Sequence, residues 1–359
     1  MKISVVIPVY NGKRYIEEAV YSILNQPYKN IEIICIEDGG TDNSLAILQA
    51  IEHKEERVKV YSQKNSGVAS ARNLGINKAS GHFIAFLDQD DKWVEDVLDS
   101  NLMAMIKEST PDIISFEYIE ANQELKRGRY IKHTCNSGIE AGGGKCFINN
   151  FRHHSAYLFK REVLIRNGIK VDKFRHEDER FRTQCVYFAK EIMYVSKPFF
   201  IYRNNQYSVT HSKNVQTEDV LISCIQGYLE TIRSNQGEKD LINYCEGILN
   251  RLMLELRLAF EQNEKLLSCG EGKRKYEECI HSLKVDSIIN REKIWISEIE
   301  RNVWKREQDS PFLFKIRYNI LENIKQWVKE CLKHTYFFVK IYEQKKYPIA
   351  LTKEIWKNG

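Results

Sequence analysis

The strongest constraint on the fold is an alternation over residues 3–87. Apolar, mostly β-branched runs at Ile3–Val9, Ile31–Ile36, Val58–Tyr61 and Phe83–Leu87 are separated by stretches of helical spacing at Tyr15–Leu24, Ser44–Ile51 and Val68–Lys78. Strands and helices alternating at this length predict right-handed crossover units, hence an α/β fold with a mostly parallel sheet covered by helices on both faces. In such a sheet ligands bind beyond the carboxyl ends of the strands. The polar clusters of this sequence follow those ends.

Beyond Pro111 the pattern loosens. Ile113–Ile119 and Met193–Tyr202 read as further strands, and the glycine-rich segment Gly138–Gly144 reads as a mobile loop. Between Phe199 and Ser310 there is no proline, and apolar positions recur at three and four residues through Leu241, Cys245, Ile248, Leu252, Leu256 and Ala259. This predicts a helical C-terminal domain over 216–359, behind a catalytic domain over 1–215. With 43% hydrophobic and 11% aromatic residues, and 54 Lys+Arg against 49 Asp+Glu, the 359-residue chain is neither disordered nor collagen-like. Its net charge of +5 is too small to point to nucleic acid, and no nucleic-acid partner is expected. The apolar run at the start is too short to span a membrane, and the nine scattered cysteines contain no Cys-x-x-Cys pair, so reduced thiols in a cytoplasmic protein are expected.

Three polar constellations could carry chemistry. Glu37-Asp38-Gly39-Gly40-Thr41-Asp42 closes the second strand, where a carboxylate can accept a ligand N–H and the glycines let backbone approach; taken alone, the segment reads rather as a plain turn with Thr41 or Asp42 as helix cap. Leu87-Asp88-Gln89-Asp90-Asp91 gathers acids whose mutual repulsion a divalent ion would relieve, the alternative being a solvated acidic turn. His176-Glu177-Asp178-Glu179 offers a carboxylate able to act as general base, or else an ion-paired surface helix start.

Two motifs are set aside. Gly142-Gly143-Gly144-Lys145 lacks the leading glycine and trailing Ser/Thr of a phosphate loop. His153-His154 resembles a metal pair, but neighbours on a regular helix or strand point in different directions, so shared ligation is not expected.

Taken in order, Val5-Val6-Ile7-Pro8-Val9-Tyr10-Asn11, Glu37 to Asp42, Asn65-Ser66-Gly67 with Ala71-Arg72-Asn73-Leu74-Gly75, Gly81 to Asp91, and Glu177-Asp178 resemble family 2 glycosyltransferases of the GT-A fold over roughly residues 3–210. The resemblance implies that Pro8 and Tyr10 border the nucleobase, Asp38 hydrogen-bonds uracil, and Arg72 lies near the nucleotide. It implies an Asp-x-Asp motif in which Asp88 faces ribose or donor sugar and Asp90 faces a Mn²⁺ or Mg²⁺ ion, with Asp88 and His211 as further ligands. Asp178 matches the catalytic base, Glu177 orients it or touches acceptor, and Arg203 closes over the diphosphate. Gly40 stands where the family usually has Ser, which bears on local loop rigidity.

With one placed carboxylate and no second nucleophile, a single inverting displacement from a UDP-sugar donor to a hydroxyl of a glycan or lipid-linked acceptor is expected, in surface polysaccharide or cell-envelope synthesis. The alternatives are a nucleotidyltransferase of similar architecture, whose phosphate loop Val9 to Arg14 matches poorly, and a non-catalytic carbohydrate-binding relative. Residues 312–347 interleave Phe312, Phe314, Tyr318, Trp327, Tyr336, Phe337, Phe338 and Tyr342 with Lys and Arg. Such a stripe suits an anionic membrane surface, on the inner face of the cell membrane, or else packs on the catalytic domain or on a second copy of the chain.

Overall fold

All seven residues of β1 (Ile3–Val9) are buried, as a strand covered on both faces requires. In the computed structural model, which describes residues 1–125, 128–132, 137–142, 153–204, 217–263 and 271–283, β1 pairs in parallel with β2 (Ile31–Glu37) on one side and with β4 (Phe83–Phe86) on the other. Strand β3 (Val58–Ser62) extends β2, also in parallel. The crossovers are α1 (Ile16–Leu24), α2 (Ser44–Glu52) and α3 (Val68–Lys78). Helix α3 lies so close to β1 that a Cβ on Gly75 would fall 2.2 Å from Val6 Cγ1, and only glycine fits there.

After β4 the sheet becomes mixed. A two-residue strand β5 (Lys92–Trp93) and helix α4 (Ser100–Ser109) lead to β6 (Ile113–Ala121), β7 (Gly128–Ile131) and β8 (Gly138–Ala141). A 3₁₀ turn at His154–Ala156 opens β9 (Tyr157–Lys160), which runs antiparallel between β4 and β6. Helices α5 (Arg161–Arg166) and α6 (Glu177–Phe188) precede β10 (Glu191–Arg203), which is parallel to β6. The strand order is β3-β2-β1-β4-β9-β6-β10-β5. The four front strands follow the expected crossovers. Gly138–Ala141, expected as loop, instead pairs with Tyr194 to Glu191 as an exposed antiparallel strand, because the long edge of β10 supplies its hydrogen bonds; residues 143 and 144 lie outside the described residues.

The helices after the sheet are α7 (Thr217–Ser234), α8 (Lys239–Asn263) and α9 (Glu271–Ser282). Leu241, Cys245 and Leu256 are fully buried, matching the expected stripe on α8, and Leu221, Ile225 and Leu229 of α7 join the same apolar core. Beneath α7 the wholly buried Arg180 of α6 forms a two-pronged pair with Asp172, 2.7 Å on each prong, and lies over the Tyr228 ring. This fastens α6 to its surroundings. No helix among the described residues is long and apolar enough to cross a membrane, and the basic aromatic stretch 312–347 lies outside them.

Candidate active site

The loops after β1, β2 and β4 knit together at the carboxyl edge of the sheet. Pro8 is buried within β1, whereas Tyr10 is 47% exposed just past its end. The Gln89 side-chain amide holds the Tyr10 backbone from both sides, accepting from its N–H at 2.9 Å and donating to its carbonyl at 3.0 Å. Asn11, in the left-handed region, accepts from Thr41 N at 2.7 Å and Asp42 N at 3.2 Å. Glu37 accepts from Gly40 N. A Cβ on Gly40 would meet the Asn11 and Glu37 side chains, Oδ1 and Oε1 each at 3.0 Å, so a larger residue would crowd the two groups that hold this loop.

Asp38 is buried and accepts from Gln63 Nε2, Ser66 N and Gly67 N, each at 2.8 Å. It thereby fixes the entry to α3. That helix carries Arg72, whose buried guanidinium donates to Asp88 at 2.9 Å and to Glu177 at 2.8 Å. One cation therefore joins two acids that are 89 positions apart. Burial pulls the Arg72 pKa down, but Asp88 and Glu177 outweigh it and hold the pKa above the ordinary arginine value.

Two residues excluded by the adjacency argument lie at the centre. His153 is extended and His154 begins the 3₁₀ turn, so regular alternation does not apply, and the rings lie side by side, tilted by 32° with centroids 4.5 Å apart. Both converge on Asp88, with His153 Nε2 3.7 Å from Oδ2 and His154 Nε2 3.7 Å from Oδ1. His154 Nδ1 is in turn 3.8 Å from Asp178 Oδ2. Burial tends to raise the Asp178 carboxyl, but His154 outweighs it and holds this acid far below the ordinary range. Asp88 is likewise held well below its usual value, the burial effect being exceeded by Arg72 and His154. Burial, with His154 adding to it, lowers His153 to about 4. The adjacent-His signal lay in the sequence; the turn that makes the two rings converge did not.

The third acid, Asp91, is 2% exposed and accepts from Arg203 N at 2.8 Å, while its Oδ2 is buried without a hydrogen-bond partner. Burial, then the charges of Asp88 and Asp90, push its pKa well above the usual carboxylate value. Arg203 is 6% exposed and directs its donors to the Asp90 carbonyl, the Gln123 carbonyl and Glu18, its guanidinium lying over Tyr15. In this arrangement it clasps the Asp90-Asp91 turn, and meeting a diphosphate would require releasing one of those partners. His211 lies outside the described residues.

Two donor sets could face a cation. Asp88, Asp90 and Asp91 carry hard oxygen donors of the kind a divalent ion takes. Asp88, His153 and His154 also gather ligand-type atoms within 4.8 Å. There, however, Ser155 N donates to His153 Nδ1, which leaves Nε2 as the protonated nitrogen of the neutral ring. The oxygen donors of the carboxylate set are of the type that Mn²⁺ or Mg²⁺ takes.

Beyond Asp178 opens a cavity of about 300 Å³, walled by Tyr118 and Tyr202 and rimmed by Glu120, His176, Glu179 and Arg182. Asp178 and His153 both line this space, and His153 reaches from it to Asp88. The sequence-expected residues Arg72, Asp88, Glu177 and Asp178 thus meet in one network, Asp38 and Tyr10 lie at neighbouring strand ends, and Asp90 and Arg203 share the adjoining turn.

The sequence model of Glycosyl transferase family 2 matches residues 4–168. An uncharacterized glycosyltransferase of Haemophilus influenzae is 33% identical over 216 residues, covering 59% of this chain and 82% of that protein. TuaG of Bacillus subtilis, named for teichuronic acid biosynthesis, is 44% identical over 108 residues, 30% of this chain and 43% of that protein. Staphylococcus aureus TarS 1–349, crystallised with UDP-GlcNAc, superposes with a TM-score of 0.62 at 20% identity, over 81% of this chain and 82% of that one. Strand-end acids in this order, on this sheet, agree with both kinds of likeness: the chain belongs to the family 2 glycosyltransferases and has the GT-A fold.

Proposed function

We propose that this glycosyltransferase moves a sugar from a UDP-sugar to a hydroxyl of a glycan or lipid-linked acceptor, with inversion, and that Asp178 is the base. The observation that carries the reading is the position of Asp178: it lines the cavity, and its carboxylate lies 3.8 Å from His154, whose other ring nitrogen faces the donor-side Asp88. An acceptor in that cavity, against Tyr118 and Tyr202, presents its hydroxyl to Asp178. The carboxylate is ionised throughout the neutral range because His154 holds its pKa down. It takes the proton as the acceptor oxygen attacks the anomeric carbon from the face opposite the diphosphate.

On the donor side, Tyr10 and Pro8 would border the base, Asp38 would hydrogen-bond the uracil edge, and Asp88, held by Arg72, would face the sugar or ribose. Asp90 would hold a Mn²⁺ or Mg²⁺ ion with Asp88 beside it; bound there, the ion would offset the charge gathering on the departing diphosphate. TarS bound to UDP-GlcNAc supports a UDP-sugar as donor, and the name of TuaG supports a role in envelope polysaccharide. The tail over 312–347 would serve as the contact with an anionic inner membrane face, and the helices after residue 216 as a surface for self-association.

The test is a panel of UDP-sugars with and without Mn²⁺ or Mg²⁺, followed by linkage analysis. UDP release dependent on acceptor supports transfer. Release of pyrophosphate from a sugar phosphate and UTP would instead indicate nucleotidyl transfer, and silence with every donor a binding protein.

A further inference from the structure

We infer that His154 is a positioning residue: its imidazole, held in place beside Asp88, lies against Asp178 and fixes the orientation of that acceptor-side acid. The inference rests on the reading of Asp178 as base. Geometry supplies the argument. His154 is 3% exposed, and its ring is held against Phe86 at 5.8 Å and against His153 at 4.5 Å. It sits on the turn that opens β9, the strand hydrogen-bonded to β4, and β4 leads directly into Asp88. A side chain fixed this firmly cannot follow a mobile partner; the partners are arranged around it.

Each ring nitrogen faces a different carboxylate, Nε2 toward Asp88 Oδ1 at 3.7 Å and Nδ1 toward Asp178 Oδ2 at 3.8 Å. These separations exceed a hydrogen bond, and neither nitrogen has another partner. Arg72 pairs with Asp88 and Glu177. Without His154, no ring would stand between Asp88 and Asp178, and Asp178 would turn toward the cavity it lines. A ring that merely filled the core would serve equally well as phenylalanine.

Three variants test this in the full chain: His154→Phe, His154→Gln and Asp178→Asn, with the double variant His154→Phe/Asp178→Asn. UDP affinity is measured by calorimetry, and kcat and KM by acceptor-dependent UDP release. His154→Phe is expected to bind UDP within about threefold of wild type and to lose about 10–10²-fold in kcat with KM for donor little changed. His154→Gln, which retains one N–H, regains part of that loss. The double variant is expected to be no more than about threefold slower than Asp178→Asn, because a residue acting through the base has nothing to act on once the base is gone.

A kcat for His154→Phe within about threefold of wild type overturns the inference. So do losses that multiply in the double variant, or a loss carried by UDP binding. A wild-type protein that releases no UDP with any donor rejects the function reading itself, and is told apart by failing before any variant is compared.

Discussion

Arg72 Nη2 lies 2.9 Å from Asp88 Oδ1 while the same guanidinium, through Nη1, lies 2.8 Å from Glu177 Oε1. A buried fork on α3 thus couples the end of β4 to the start of α6. Removing it leaves two acids facing each other in a poorly solvated space. Arg72→Ala should therefore cost about 2–3 kcal/mol, below the full cost of stripping a wholly buried pair because Asp88 and Glu177 keep some solvent contact. Arg72→Lys, a single point donor, should recover less than half of it. Urea unfolding at pH 7 measures both, and a cost under about 0.5 kcal/mol for Arg72→Ala would show that the fork is not what joins the two elements.

Gly75 offers a test of opposite signs. In an exposed helix, Gly→Ala stabilises by about 1 kcal/mol. Here the new Cβ would lie 2.2 Å from Val6 Cγ1, and Val6 is completely buried in β1, with no room to retreat. Gly75→Ala should destabilise by about 1–3 kcal/mol and lower Tm. A raised Tm would mean that α3 can lift off β1.

Glu32 gives a pH signature away from the site. Its carboxylate pairs with Lys2 and accepts from Ser4 and from Ser80. Burial works against ionisation, but these partners outweigh it and bring the pKa to about 2, from 4.5. Because the folded value is the lower one, the stabilisation is complete above about pH 4.5 and fades as pH falls toward 2. Glu32→Gln should cost about 1–2 kcal/mol at pH 7, less than the full shift implies because Lys2 is partly exposed, and almost nothing near pH 2. Parallel denaturation curves across pH 2–7 check this; a constant difference would assign the effect to packing.

The front of the sheet was legible because its strands are buried on both faces and read as continuous apolar runs: Ile3–Val9, Ile31–Glu37 and Phe83–Phe86. The acids that follow β2 and β4 could be placed from that pattern alone. Tyr157–Lys160 could not, since four residues between irregular stretches carry no period, and only the gap between β4 and β6 makes them a strand. Gly138–Ala141 became a strand for a similar reason, through its partner's free edge rather than its own propensity. His153 and His154 were discounted by a rule that holds for regular backbone. The change from extended chain to 3₁₀ turn between them lies outside that rule.

The most direct test of the account is Asp178→Asn, compared with wild type in UDP calorimetry and in acceptor-dependent UDP release. The account predicts UDP affinity within about threefold of wild type and transfer slowed about 10²–10⁴-fold. Transfer within about tenfold of wild type would contradict it, because the proton would then be leaving the acceptor by another route.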